Sequence, residues 1–392
     1  VAPSTLRHCS QRVALLFASS AYAVFIASGL LPAGCPECTD AGIIATMICA
    51  SVLVGVAAPF LWVTQGAIMT FNSPQVHLNT YTTVFQLFFQ SAFLAGPALA
   101  TPVVDHPILF FSVMTSVCLA GIAVLLTIRA PLLHESIPVQ NEVPTASTKD
   151  GAILVFSFIR TDSRAWAIGL YGISLGVMFN GFVACVLPMF ADTTQQAAVL
   201  LTALGFGNLF GGMTFSRLGN CMGRQRCMLL AFALQEIAMV ALLVVTRPNL
   251  LAENARNVAC VIGSLVLGLG NSLNFANLAA CISSAVHDKA RLGFATQQVF
   301  MCLSTIPGFL LLPNFDREWN TGVCSILIAV VCFFLLSQPS FFQTLKLVGE
   351  TKISSPKVEA ISEDQQTESI DYVQRQCHSE PHFCIRDTVS SI

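Results

Sequence analysis

Long apolar runs separated by short polar breaks dominate this chain. Ten of them, over 13–31, 43–66, 82–101, 108–128, 165–189, 197–216, 226–246, 258–282, 292–312 and 321–340, reach the roughly 20 residues that a helix needs to cross a bilayer core about 30 Å thick. In hydrocarbon every backbone N–H and C=O must be satisfied within the chain, so such runs predict helices rather than open sheets. The expected fold class is all-α: a polytopic membrane bundle.

Two stretches break the pattern. Residues 129–164 carry Pro131, Pro138, Pro144, Lys149, Arg160 and Arg164, and read as a long polar connection between two sets of helices. Beyond residue 346 the chain turns rich in Ser, Gln and Glu, as in ISEDQQTESID, which is too polar to bury itself and is expected to be disordered. The organisation that follows is a four-helix half-bundle over 1–128, a loop over 129–164, a six-helix half-bundle over 165–345 and a tail over 346–392.

Composition agrees with this pattern. The 392 residues are 54% hydrophobic and 10% charged, with a mean hydropathy of +0.71, against about 25% charged in ordinary soluble domains. A net charge of -2 offers no broad basic surface, so nucleic acid is not an expected partner. The lipid bilayer is. If Val1–Arg12, which holds no leading apolar span, faces the cytoplasm, sixteen of the nineteen Lys and Arg fall on that face and only Arg247, Arg256 and Arg317 on the other. The positive-inside rule then places both termini and the 129–164 connection in the cytoplasm.

Most of the 15 cysteines lie in apolar runs, for example Cys49, Cys118, Cys260 and Cys302, where thiols behave as small hydrophobes. Cys35 and Cys38 are different, falling in the first outward loop, where an oxidising compartment allows a disulfide. Cys377, His378, His382 and Cys384 match no known zinc spacing, so no metal is expected. No Ser-His-Asp, paired-carboxylate or Walker-type constellation occurs, and the glycine run over 205–212 lacks the preceding strand of a nucleotide site. Neither an enzyme nor a cofactor is indicated.

An internal repeat is faintly visible. GRQRCMLLAFAL, from Gly223, is similar to CSQRVALLFASS, from Cys9: each sets Gln-Arg at a membrane edge ahead of a Leu-rich span. Two spans precede that edge in the second half and none in the first, so two more before Arg12 would complete a six-plus-six chain of two parallel halves. GMTFSRLGNCMGRQR, Gly212 to Arg226, resembles the major facilitator signature, with a three-residue insertion and with Ser216 where an acidic residue is usual. In that resemblance Gly212, Arg217, Gly219, Arg224 and Arg226 form a conformational loop. VGVAAPFLWVTQGAIMT (54–70) and LGLGNSLNFANLAACIS (267–283) resemble the uncoordinated-ninety-three-like family within that superfamily. The family resemblance implies a protein that regulates or escorts an ion channel or another membrane protein. Secondary transport of a small solute or ion is the alternative.

Asn271, Asn274 and Asn277 recur every third residue and so occupy one slowly drifting helix face. In the family's arrangement this face lines the central cavity with Trp62, Gln65, Tyr171 and Asn180, a substrate or ion pathway; otherwise the stripe holds helices together, at about 0.6 kcal/mol per bond. Glu236 is the acidic residue deepest in any span and is a proton-site candidate, with a structural, protonated role as the other reading. Gln86 with Gln90, and Gln297 with Gln298, read as interhelical glue, and Gly207 with Gly211, spaced as GxxxG, as a close-packing pair.

Overall fold

The computed structural model describes residues 11–35, 38–72, 78–103, 105–127, 148–245, 247 and 251–338. Among them are ten helical stretches long and apolar enough to cross a membrane. The 346–392 tail, with Cys377, His378, His382 and Cys384, and residues 128–147 lie outside the described set.

Helix α1 (Gln11–Ser28) bends at Gly29 into the short α2 (Leu30–Gly34), and a disulfide joins Cys35 to Cys38. The first set continues with α3 (Asp40–Asn72), α4 (Leu78–Ala100) and α5 (Pro107–Thr127). Within the connection, residues 148–161 are not extended chain but a helix, α6 (Thr148–Thr161). Its ILVFSFI run buries Val155 and Phe158, apolar content that the prolines and charges around it mask in the sequence. The second set is α7 (Ser163–Leu175), prolonged by π-helical turns over Gly176–Val186, then α8 (Thr194–Met222), α9 (Arg224–Val245), α10 (Glu253–Ala285), α11 (Ala290–Leu311) and α12 (Arg317–Leu336).

Several helices outrun the apolar spans expected of them. α3 and α10 have 33 residues each, about 50 Å at 1.5 Å per residue, well beyond the hydrocarbon core. Hydropathy marks only the apolar middle of such a helix, which continues until a cap or a turn ends it. Thr193 Oγ1 caps the start of α8, accepting from Gln196 N at 3.1 Å. Gly223, at φ 79°, ends it, a left-handed φ that glycine adopts without the Cβ penalty.

Small and amide residues join large apolar side chains such as Tyr171, Phe182 and Phe215 in the interior, while Phe88 and Phe333 are among the most exposed side chains, as expected where lipid is the solvent. α8 is the central strut. On one side Gly205, Gly212 and Gly219 meet α4 at Phe93–Leu94, Gln86–Leu87 and Asn79, an antiparallel seam of glycines spaced by seven. On another side Gly207 and Gly211 meet Leu265 and Leu269 of α10, and Gly268 returns the contact at Leu204. α9 packs on α10, α11 on α7 and α3, and α1 on α3 and α5.

The start of α7 carries an acid-dependent clasp. Asp162 accepts from Arg164 N at 3.0 Å, Nε at 2.9 Å and Nη2 at 2.7 Å, while Arg164 also reaches the Ala285 carbonyl. The side-chain hydrogen bond from Arg164 holds the carboxyl below the usual carboxylate range. A lowered folded-state value stabilises above the unfolded value, about 3.9, and that contribution disappears as pH falls through the folded one. Asp162→Asn should therefore cost about 1 kcal/mol at neutral pH. Thermal melts in detergent should show the deficit shrinking below about pH 4.

Candidate functional site

Four helices of the second set enclose a chain of amides. The Tyr171 hydroxyl, on α7, donates to Asn274 Oδ1 at 2.8 Å and accepts from Asn277 Nδ2 at 3.2 Å. Asn274 Nδ2 passes the chain to Gln235 Oε1 on α9 at 2.8 Å, and Asn277 Nδ2 also reaches the Arg224 carbonyl at 3.0 Å. One turn away, Asn271 Nδ2 donates to Asn208 Oδ1 of α8 at 3.3 Å. A three-residue repeat drifts around the helix, so Asn271 addresses α8 while Asn274 and Asn277 address α7 and α9. All five amides and Tyr171 are fully buried. The stripe therefore faces other helices of its own half. Among the described residues Asn271 Oδ1, Asn208 Nδ2, Asn277 Oδ1 and Gln235 Nε2 have no hydrogen-bond partner.

Asn274→Leu would take the acceptor from the Tyr171 O–H and the donor from the Gln235 carbonyl oxygen, while the bond from Asn277 to Tyr171 remains. Each orphaned buried group costs about 1–3 kcal/mol. We expect a melting temperature several degrees lower, with Asn274→Gln less affected, in a fluorescence thermal-shift measurement.

Part of the contact between the two sets of helices, beside the glycine seam of α4 and α8, is aromatic. Trp62 of α3 meets Phe89 of α4 edge-on at 5.0 Å, and Phe89 continues to Phe93 at 5.1 Å and Phe275 of α10 at 6.3 Å. Phe179, in the π-helical part of α7, closes the ring against Phe93 at 4.9 Å and Phe275 at 5.5 Å. Phe85, Phe89 and Phe93 share one face of α4 by their four-residue spacing, a stripe that was visible in the sequence but indistinguishable there from lipid-facing phenylalanine. Trp62 thus joins the aromatic contact, and Gln65 lies one turn on, half-buried.

At the end of the bundle that carries most of the basic residues, three polar ties cross between the sets. Thr70 Oγ1 of α3 lies 2.8 Å from Ser283 Oγ of α10. Asn79 Nδ2 donates to Asn220 Oδ1 at 2.7 Å, and Asn79 Oδ1 accepts from Arg224 Nη2 at 3.0 Å. Arg224 also donates to the Ala280 carbonyl at 3.0 Å and to Ser284 Oγ. Gly212 and Gly219 press α8 against α4 in the same region, while Arg217 and Arg226 are exposed. Asn79 and Asn220 escaped the sequence reading, since single asparagines at helix ends pass for ordinary surface residues.

Glu236 stands apart. It faces Ser325 of α12 and borders Ile237, Val240 and Val244 on the outside of α9, away from both the amide chain and the aromatic contact. Asn180 falls in the π-helical stretch, and its side chain lies outside the described residues. Gln90 Nε2 donates to Gln86 Oε1 at 3.3 Å, and Gln297 and Gln298 are buried. No group of three metal-ligating side chains occurs among the described residues.

Comparison with known proteins adds the wider context. A family model described as Major Facilitator Superfamily matches residues 6–310. No curated protein matches the sequence. The crystal structure of the E. coli fucose:proton symporter, FucP, is similar with a TM-score of 0.52 at 12% identity, over 85% of this chain and 86% of that one. FucP in the outward conformation gives 0.54 at 14% identity, again over 85% and 86%. An outward-facing bacterial homologue of the iron transporter ferroportin gives 0.57 at 13% identity, over 86% of each chain.

Proposed function

Because the chain belongs to the Major Facilitator Superfamily and is an integral, multi-pass membrane protein, we propose that it is a secondary transporter for a small, uncharged solute. The proposed path runs between the two sets of helices, past Trp62, Gln65, Phe89, Phe179 and Phe275. The observation that carries this reading is the chemistry of that contact. It is built from ring faces and edges, and among the described residues Glu236 is the one charged side chain well inside a span, facing α12 instead. A charged solute would be desolvated there with no partner, at a cost of several kcal/mol. An apolar or aromatic neutral solute would instead gain offset and edge-on ring contacts. The activities named for the fold neighbours support transport over an escort role.

In this proposal the amide chain of Asn271, Asn274 and Asn277 braces the wall of the path, and Arg224 with its neighbours holds the basic end closed. Membership of the uncoordinated-ninety-three-like family, proposed from the 54–70 and 267–283 segments, is compatible with either activity.

Proteoliposomes containing the full-length protein test the reading. Neutral aromatic solutes should accumulate to equilibrium, flux should ignore an imposed proton gradient, and Trp62→Ala or Phe89→Ala should reduce flux at least tenfold at normal expression, about 1.4 kcal/mol. Glu236→Gln should leave flux unchanged. An absence of flux across the screen, beside a membrane protein that copurifies reproducibly, would favour the escort role.

A further inference from the structure

Helix α6 exposes two large apolar side chains outside the ten membrane-spanning stretches. Phe156 is 68% exposed and Ile153 is 61% exposed. Helical register defines the face that carries them. Ile153, Phe156 and Arg160 follow one another at intervals of three and four residues and so share one side of the helix, and all three are exposed. Val155 and Phe158 fall on the opposite side and are buried. α6 is therefore apolar on two faces, one covered by the bundle and one uncovered.

The backbone shows where the uncovered face lies. Asp162, between α6 and α7, is extended at φ -115° and ψ 114°, so α6 does not continue the axis of the α7 span. It packs instead against both α7 and α11, and Lys289, just ahead of α11, lies close enough to Asp162 to act on its carboxyl. In the first turn of α7, Trp166 is 51% exposed, and exposed tryptophan at a span end marks the headgroup level of a bilayer. The headgroup layer adds about 5–8 Å on each side of the hydrocarbon. A helix running straight on from Ser163 would carry Phe156 about 10 Å out into water, whereas one turned aside at Asp162 and laid against the bundle stays within that layer.

Charge and area decide what covers the face. Two exposed side chains are few beside the roughly 800 Å² that each partner contributes to a standard protein interface. Lipid is already the solvent of the adjoining surface, where Leu303 of α11 is exposed together with Trp166. The polar neighbours of the apolar pair are basic: Arg160 on the same face, and Lys289, exposed at the start of α11. The nearby acid, Asp162, is engaged by Arg164 at 2.7 Å. Apolar and basic side chains together characterise helices that lie in the plane of an anionic membrane surface.

We propose that α6 is an interfacial helix that binds anionic phospholipid of the leaflet at the basic end, with Ile153 and Phe156 entering the boundary between headgroups and acyl chains and Arg160 meeting the headgroup charge. The inference does not depend on what, if anything, the protein transports.

The test uses the full-length protein, with its other free cysteines replaced, carrying a nitroxide at Ile153→Cys or Phe156→Cys. Nanodiscs of phosphatidylcholine alone are compared with nanodiscs of two parts phosphatidylcholine to one part phosphatidylserine. At both positions collision with oxygen, which concentrates in lipid, should exceed collision with a water-soluble nickel chelate. Phosphatidylserine should shift both nitroxides deeper, and Arg160→Glu should abolish that shift while the protein stays monodisperse. Should the nitroxide variants aggregate, a lipid-dissolved photolabel on the unaltered protein decides: it should mark the peptide over Ile153–Arg160, and more strongly in the phosphatidylserine discs. Nickel access exceeding oxygen access would place the face in water, and protection from both reagents would mean that another segment of the chain or a second copy covers it. Either result, a depth or labelling indifferent to phosphatidylserine, or no photolabel on that peptide would overturn the proposal.

Discussion

Gly207→Leu should leave almost no folded protein. A Cβ at position 207 would stand 1.9 Å from the Leu265 carbonyl oxygen and 2.8 Å from its carbon, both backbone atoms that cannot rotate away. Alanine alone would force α8 and α10 apart, and their separation would break the Asn271–Asn208 bond and loosen Gly268 from Leu204. Overpacking in a well-filled core costs about 1–3 kcal/mol and sometimes more; a leucine against backbone belongs at or beyond the top of that range. The matched control is Gly55→Leu on α3, where a Cβ meets nothing within 4 Å. Fluorescence-detected size-exclusion chromatography should show a monodisperse peak for the control and aggregate or no peak for Gly207→Leu. A well-behaved Gly207→Leu protein would mean that α8 and α10 are not in backbone contact.

That comparison also shows what the sequence could and could not reveal. The GxxxG spacing of Gly207 and Gly211 was legible because close helix approach needs small residues at that interval. The Gly205, Gly212 and Gly219 series was not read as a seam, because Gly212 and Gly219 also fell inside a segment resembling a loop signature. Seven-residue spacing returns to nearly the same helix face, so the signal was present and was masked by a competing one. The ten spans were legible because bilayer thickness sets their length. The asparagine stripe was legible as a face, but hydropathy carries no information on which neighbour a buried amide meets. Only the packing of α7, α8 and α9 around α10 decides that.

Loosening the ties at the basic end should open that end. Asn79 carries two of the three links between the helix sets there, one to Asn220 and one to the Arg224 guanidinium, and Thr70 with Ser283 forms the third. Each neutral bond contributes about 1 kcal/mol net and a bond to a charged group somewhat more. Partial exposure of the Asn79 pair reduces its share, so Asn79→Leu with Thr70→Val should remove about 3 kcal/mol from the closed state. That is on the order of a hundredfold in the ratio of closed to open. Both substitutions leave the bonds from Arg224 to Ala280 and Ser284 intact, so α9 and α10 keep their own packing. Cys281, fully buried beside Arg224, is a native reporter. In a background with the other free cysteines replaced, its modification by a membrane-impermeant thiol reagent applied from the basic side should accelerate strongly in the double variant. Arg224→Gln should accelerate it too, but with a lower melting temperature because bonds within the second set are lost as well. An unchanged labelling rate in the double variant would show that the glycine seam of α4 and α8, rather than these side chains, keeps the basic end shut.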